Sequence, residues 1–167
     1  MTARDVRKNY QVFVDGRGYA GQTKEFTPPV PSLITEDFRA GGMDGTVPID
    51  MGIEPLETTF SLIAFDRDVL SLWGLAPGNE VPIVCRGALE SQDGTSKAEI
   101  HTMRGLITKV DPGTFSAEGP TLQVTAKLSY YRLAVNGVDT IEIDVPNMIR
   151  KVNGVDRLAQ QRRNIGR

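Results

Sequence analysis

Hydrophobic and polar residues alternate along most of this chain with a period of two, the signature of strands buried on one face. Leu56 to Phe65 sets Leu56, Thr58, Phe60, Leu62 and Ala64 against Glu57, Thr59 and Ser61. From Glu80 to Glu90 the face Val81, Ile83, Cys85, Leu89 recurs, and Asp93-Gly94 signals a turn before a partner strand over Lys97 to Val110. Thr121 to Val135 places Leu122, Val124, Ala126, Leu128 and Tyr130 opposite Gln123, Thr125, Lys127 and Ser129. At roughly 3.3 Å per residue that run would reach about 50 Å, so it is expected to bend or project toward a neighbour. Asn136-Gly137 then turns the chain into a strand through Ile141 and Ile143, with Thr140, Glu142 and Asp144 toward solvent.

The N-terminal third reads as two further hairpins. Tyr10 to Val14, the turn Asp15-Gly16 and a returning strand over Tyr19 to Phe26 precede the breakers Pro28, Pro29 and Pro31. Leu33 to Phe38 and Thr46 to Asp50 flank a tip, Arg39-Ala40-Gly41-Gly42-Met43-Asp44-Gly45, whose glycines permit positive φ. Helical spacing is confined to two places. Asp66 is an N-cap ahead of the stripe Val69, Leu70, Leu72, Trp73, predicting a central helix from Asp66 to Trp73 with Trp73 in the core. A short helix after Gly154 is expected to carry Val155, Leu158 and Ile165 on one side and Arg162-Arg163 on the other. The prediction is a single, mainly antiparallel β domain over 1–167. Residues 1–9 form an N-terminal arm, 32–55 an extended hairpin, and 154–167 a helical segment.

Composition narrows function by exclusion. The chain has 167 residues and 40% hydrophobic content, enough for one real core. Its 19 Lys+Arg against 21 Asp+Glu argue against a basic face that grips nucleic acid. No apolar run reaches the roughly 18 residues that a membrane span needs, and Met1 to Lys8 leads into no signal core, so folding in a cytoplasm is expected. One Cys and one His exclude an intrachain disulfide and a Cys/His zinc set.

The remaining chemistry reads as structure. Gly41 to Gly45 lacks the Lys-Ser/Thr of a phosphate loop, and Asp44, Asp50 and Glu54 do not have calcium-loop spacing. Cys85 shares an apolar face and reads as a buried thiol, while His101 alternates with Glu99 and Met103 as a strand-face residue. Glu142 and Asp144 sit on one strand face about 7 Å apart, as a solvated face explains. Tyr130 and Tyr131 point to opposite sides, so one anchors the core and the other a surface. No catalytic, cofactor or metal site is indicated.

Five motifs in register carry a resemblance: Glu36-Asp37-Phe38-Arg39-Ala40-Gly41-Gly42-Met43-Asp44, Ile49-Asp50-Met51-Gly52, Ser129-Tyr130-Tyr131, Ile141-Glu142-Ile143-Asp144 and Asn153-Gly154-Val155-Asp156-Arg157-Leu158. Together, from about Tyr10 to Gly166, they resemble the major tail tube protein of contractile-tailed bacteriophages and related R-type pyocins. The resemblance implies a β-sandwich or barrel-like subunit with a flanking helix. Six copies would form a ring whose inner sheets join into one barrel, and rings would stack into a tube that delivers DNA. It also implies a place in the virion tail, assembled in the host bacterial cytoplasm. The partners it implies are further copies of the chain, the contractile sheath, a tape-measure protein inside the tube, baseplate and tail-terminator proteins, and DNA in transit. Contacts between subunits and rings are expected at Arg39, Gly41, Gly42, Met43, Asp44, Tyr131, Asp156 and Arg157. Gln123, Thr125, Ser129, Thr140, Glu142 and Asp144 are candidates for the lumen, where a polar, non-basic wall would let phosphates slide.

Two other tube readings share this architecture: a phage-derived particle without DNA, and the tube of type VI secretion. A small β-barrel ligand carrier or enzyme is the alternative from another class, and it would need a convergent polar pocket.

Overall fold

A computed structural model describes residues 2–167; Met1, the first residue of the expected N-terminal arm, lies outside them. In chain order the strands are β1 (Val6–Val14), β2 (Arg17–Gly18), β3 (Thr23–Thr27), β4 (Leu33–Phe38), β5 (Val47–Ile53) and β6 (Leu56–Leu62). Helix α1 (Arg67–Leu70) follows, then β7 (Val81–Glu90), β8 (Ser96–Asp111), β9 (Leu122–Val135), β10 (Val138–Asp144), β11 (Ile149–Val152), β12 (Val155–Asp156) and helix α2 (Ala159–Asn164). Every strand pairing is antiparallel. The mainly β, antiparallel class expected from alternation is the one observed.

The sheet branches at β9. Its first half lies between β8 and β6, and its second half between β8 and β10. One branch runs β1-β7-β8-β9-β6-β3 and curls until its ends face each other, where the Tyr10 hydroxyl donates to the Lys24 carbonyl at 2.8 Å. The other runs through β10 and β11 to β12. The curl encloses the core, which includes Val12, Phe60, Leu62, Ile83, Met103, Leu122 and Val124, each at most 1% exposed.

Two bulges interrupt the pairing of the long strands β8 and β9. Arg104 pairs with Tyr130 but Gly105 pairs with Leu128, so Ser129 is an extra residue in β9. Inward positions are even-numbered up to Leu128 and odd-numbered after it, and Tyr131 points into the core at 2% exposure. A second shift, between Ile107 and Lys109 in β8, turns Val110 inward. Gly105 is where the backbones meet most closely. A Cβ there would stand 2.1 Å from the Lys127 carbonyl oxygen and 2.7 Å from the Leu128 Cα, so only glycine fits.

Three expectations are corrected. The strand returning over Tyr19 to Phe26 is broken: Arg17–Gly18 pairs with β1, the chain turns at Tyr19 to Gln22, and β3 pairs with β6 instead. The central helix is a single turn. Asp66 caps it, its carboxylate accepting from the Asp68 amide at 2.9 Å, and Val69 is fully buried, but Trp73 is 59% exposed, with its indole N–H donating to the Thr108 carbonyl at 3.1 Å. Finally, Asn153-Gly154 does not open a helix. Both residues have positive φ (50° and 78°), as do Asp15-Gly16 and Asn136-Gly137, and this tight-turn geometry joins β11 to β12. Val155 is therefore an exposed strand residue, Ile165 is also exposed, and α2 begins only at Ala159.

Candidate assembly surfaces

Hairpin β4–β5 pairs with no strand of the main sheet. Its backbone is closed by the Glu54 amide on the Ser32 carbonyl at 2.8 Å, and its base is pinned by Arg150 of β11, which donates to Asp50 at 2.7 Å. That bond, ahead of the Gly52 amide, holds the Asp50 carboxyl below the usual aspartate range. Pairing of Glu36 with Ile49 and Phe38 with Val47 collects Ile34, Phe38, Val47, Ile49 and Met51 on one face, every one of them exposed. No residue of β4 is buried. Two strands alone are marginal in water, and a contiguous apolar face left open is the mark of an interface.

The tip brings together Arg39, Gly41, Gly42, Met43 and Asp44, all exposed except half-buried Met43. The Met43 amide donates to the Ala40 carbonyl at 3.2 Å and Arg39 Nε donates to the Met43 carbonyl at 3.2 Å. Gly42 has φ +88°, whereas Gly41 is not in the left-handed region, so only one of the two needs glycine's freedom.

The C-terminal segment is held separately. Asp156 accepts from Arg162 at 2.5 Å and from the Leu158 amide at 3.1 Å, and Arg162 also donates to the Met148 carbonyl at 2.7 Å. The arginine bond is the main reason that the Asp156 carboxyl lies below its usual range. Asp156 is thereby occupied within the subunit, while Arg157 is exposed. Between the hairpin base and this segment lies a cleft of about 500 Å³ lined by Met51, Ile53, Ile143, Val145, Met148 and Leu158 among others.

Two expected site residues are corrected by burial. Tyr131, placed at a subunit contact, is a core anchor; the Ser129 bulge leaves Tyr130 as the partner with surface to offer, under Arg104 at 5.1 Å. Asp144 does not face solvent. It is 8% exposed and bonds the Asn147 amide nitrogens at 3.3 and 2.8 Å. The other candidates divide between the branches of the sheet. Gln123 and Thr125 lie beside β6, and Ser129 donates to Glu80 at 2.6 Å. Thr140 is the bulged residue of β10, and Glu142 pairs across to Arg132 and Lys151.

Sequence reasoning missed a buried polar chain. Arg7 grips Glu99 at 2.6 and 2.9 Å, Glu99 contacts His101 Nε2 at 2.8 Å, and His101 Nδ1 contacts the Tyr131 hydroxyl at 2.9 Å. Glu99 and His101 are at most 7% exposed. Burial alone would raise the Glu99 pKa, but bonds from Arg7 and His101 outweigh it and the net shift is downward. Burial pushes the Tyr131 hydroxyl up to about 12 and the neighbouring Cys85 thiol up to about 11, which leaves the thiol protonated and unreactive. An acid and a histidine alternating with Met103 on the inward face of β8 was the available signal.

Comparison with known proteins identifies the family. The chain is 37% identical over 164 residues to the tail tube protein of Escherichia phage P2, covering 95% of each, and 30% identical over 147 residues to the major tail tube protein of Serratia phage KSP20, covering 87% of this chain and 85% of that one. Among solved structures, the Dit (gp 19.1) protein of phage SPP1 aligns over 75% of this chain and 52% of its own, with a TM-score of 0.45 and 16% identity, a likeness too slight to inform function. Residues 5–166 match the family described as phage tail tube protein FII, and the chain belongs to that family.

Proposed function

We propose that the chain builds the inner tube of a contractile phage tail, with six copies closing into a ring and stacked rings forming the conduit through which DNA is delivered. The observation that carries this reading is hairpin β4–β5, an apolar two-stranded arm that finds no cover in its own subunit. The ends of the sheet support it: β12, β2 and β3 each leave one edge open, and closing copies into a ring satisfies such edges. In the assembled tail the sheath lies outside, a tape-measure protein occupies the lumen before DNA passes, and baseplate and terminator proteins close the ends.

The lumen is assigned to the outer sheet face that carries Gln123, Thr125, Ser129, Thr140 and Glu142. Arg104, Lys127, Arg132 and Lys151 share that face, but Arg104 is neutralised by Glu80 at 2.9 Å and Glu142 stands between Arg132 and Lys151 across the sheet. A wall of that kind offers phosphates no continuous basic track. Glu142→Lys is expected to leave tubes intact while slowing genome release at low salt, because ring symmetry repeats each added charge. Normal ejection from such particles would take Glu142 off the wall.

Electron microscopy of the purified protein tests the reading as a whole. Rings or tubes with a central channel are expected, and a strictly monomeric particle at high concentration would favour a small β-barrel carrier instead.

A further inference from the structure

The apolar face of hairpin β4–β5 contains one charge. Glu36 pairs with Ile49 and is flanked along β4 by Ile34 and Phe38. Whatever covers this face must also meet that carboxylate, since an ion sealed among apolar side chains without a partner is strongly disfavoured. The required surface is thus apolar with an available cation at its rim. The hairpin and its base add Asp37, Asp44, Asp50 and Glu54 against Arg39 alone. Of these acids only Asp50 has an ion-pair partner among the described residues.

The same chain presents a surface of that description. The cleft between the hairpin base and the C-terminal segment is lined by Ile143, Val145, Met148 and Leu158. Residues 150–167 carry Arg150, Lys151, Arg157, Arg162, Arg163 and Arg167 against a single acid, Asp156. Arg150 and Arg162 are committed to Asp50 and Asp156. Arg157 is the chain neighbour of Leu158, which lines the cleft, and Arg167 donates to the Pro146 carbonyl beside Val145 at 3.1 Å. Neither has an acidic partner among the described residues, and both are exposed.

We infer that the hairpin of one copy docks its apolar face on the C-terminal cleft of a second copy, with Glu36 meeting Arg157 and Arg167. The contact is heterologous: two different surfaces of one chain meet, so each copy uses both, and repetition propagates an assembly. This rests on the tube reading and specifies which of its surfaces join. Charge complementarity also fixes the register, because a hairpin set against another acidic face would repel it.

The test is a charge swap in the full chain, read by tube yield in electron micrographs and by sedimentation. Glu36→Lys, and separately Arg157→Glu with Arg167→Glu, should each lower tube yield by roughly tenfold or more. All three residues are exposed, so melting temperatures should match wild type. Combining the three substitutions should restore tubes. The neutral variant Glu36→Gln is milder and should give an intermediate yield with weaker salt dependence. If wild type forms tubes but either charge reversal assembles normally, or the combination does no better than its parents, the pairing is wrong and the tube reading stands. If wild type forms no tubes, the tube reading fails and the pairing with it.

Discussion

β5 and β6 are adjacent in the chain, seven residues each, separated only by Glu54 and Pro55, and both carry alternating apolar residues. Their fates are opposite. β6 lies between β3 and β9 and buries Leu56, Thr58, Phe60, Ser61 and Leu62, while β5 pairs with β4 alone and buries nothing. Alternation therefore says that a strand has an apolar face, and not which molecule covers it. One strand stabilises the subunit; the other leaves its apolar face uncovered.

The widest separation should come from matched truncations. Phe60→Ala is expected to cost about 3–5 kcal/mol of subunit stability, because the ring is 1% exposed between two neighbouring strands. Phe38→Ala should change subunit stability by less than about 0.5 kcal/mol yet depress tube formation. Denaturant unfolding and tube yield measured on both variants would break the contrast if Phe38→Ala unfolded the subunit as readily as Phe60→Ala.

Gly105→Ala probes the barrel without removing any apolar area. The added methyl would press on the Lys127 carbonyl and the Leu128 backbone, which cannot swing aside as a side chain would. A loss of about 3 kcal/mol is expected, and wild-type stability would show that β8 and β9 part at the bulge without cost.

These two sites also mark how much was legible in advance. Leu122, Val124, Ala126 and Leu128 were readable as a core face because the pleat has a strict period of two. Tyr131 was not, since one inserted residue at Ser129 reverses the face and is visible only once β8 is laid beside β9. The same non-local dependence hid the short α1. Val69 fits the core, but nothing in the spacing of Leu70, Leu72 and Trp73 reveals that the chain lifts away after one turn. Asn153-Gly154 is different: its turn chemistry was as clear as that of Asn136-Gly137, and the helix expected after it ignored the signal. Of the residues expected at contacts or the lumen, Arg39, Gly41, Gly42, Asp44 and Arg157 are exposed, whereas Tyr131 and Asp144 were misjudged because partners distant in the sheet or turn bury them. The Arg7–Glu99–His101–Tyr131 chain was unreadable as a unit, for Arg7 and Glu99 are 92 residues apart.

That polar chain ties the start of β1 to the barrel, and its removal should have a smaller effect. Glu99→Gln is expected to cost about 1–2 kcal/mol at pH 7, since Arg7 loses its anionic partner and one of its two acceptor oxygens, and the bond with His101 loses the carboxylate charge. The sign with pH follows from the depressed pKa of Glu99 in the folded state. Its contribution is complete above the ordinary glutamate value of about 4.3 and is lost as pH falls through the lower folded value. Stability measured from pH 6 down to pH 3 should therefore fall more steeply for wild type than for Glu99→Gln. Parallel curves would show that the carboxylate gains nothing from its partners.

The smallest effect on the subunit, and the finest test of the hairpin, is at the tip. Gly42 has φ +88° and Gly41 does not, while a Cβ on either meets no atom within 4 Å. Gly42→Val must force a β-branched residue into the left-handed region, a strain of about 1–3 kcal/mol borne by a hairpin with no buried residue in β4. The melting temperature should stay within a degree or two of wild type, on the order of the noise for surface changes, while tube yield drops as the tip geometry shifts. Gly41→Val, which carries no such strain, should assemble nearly as well as wild type. If both variants fail equally, the tip requires bare backbone against a neighbour and not a particular φ. If Gly42→Val lowers the melting temperature as strongly as Gly105→Ala, the hairpin belongs to the folding unit after all, and the distinction between β5 and β6 collapses.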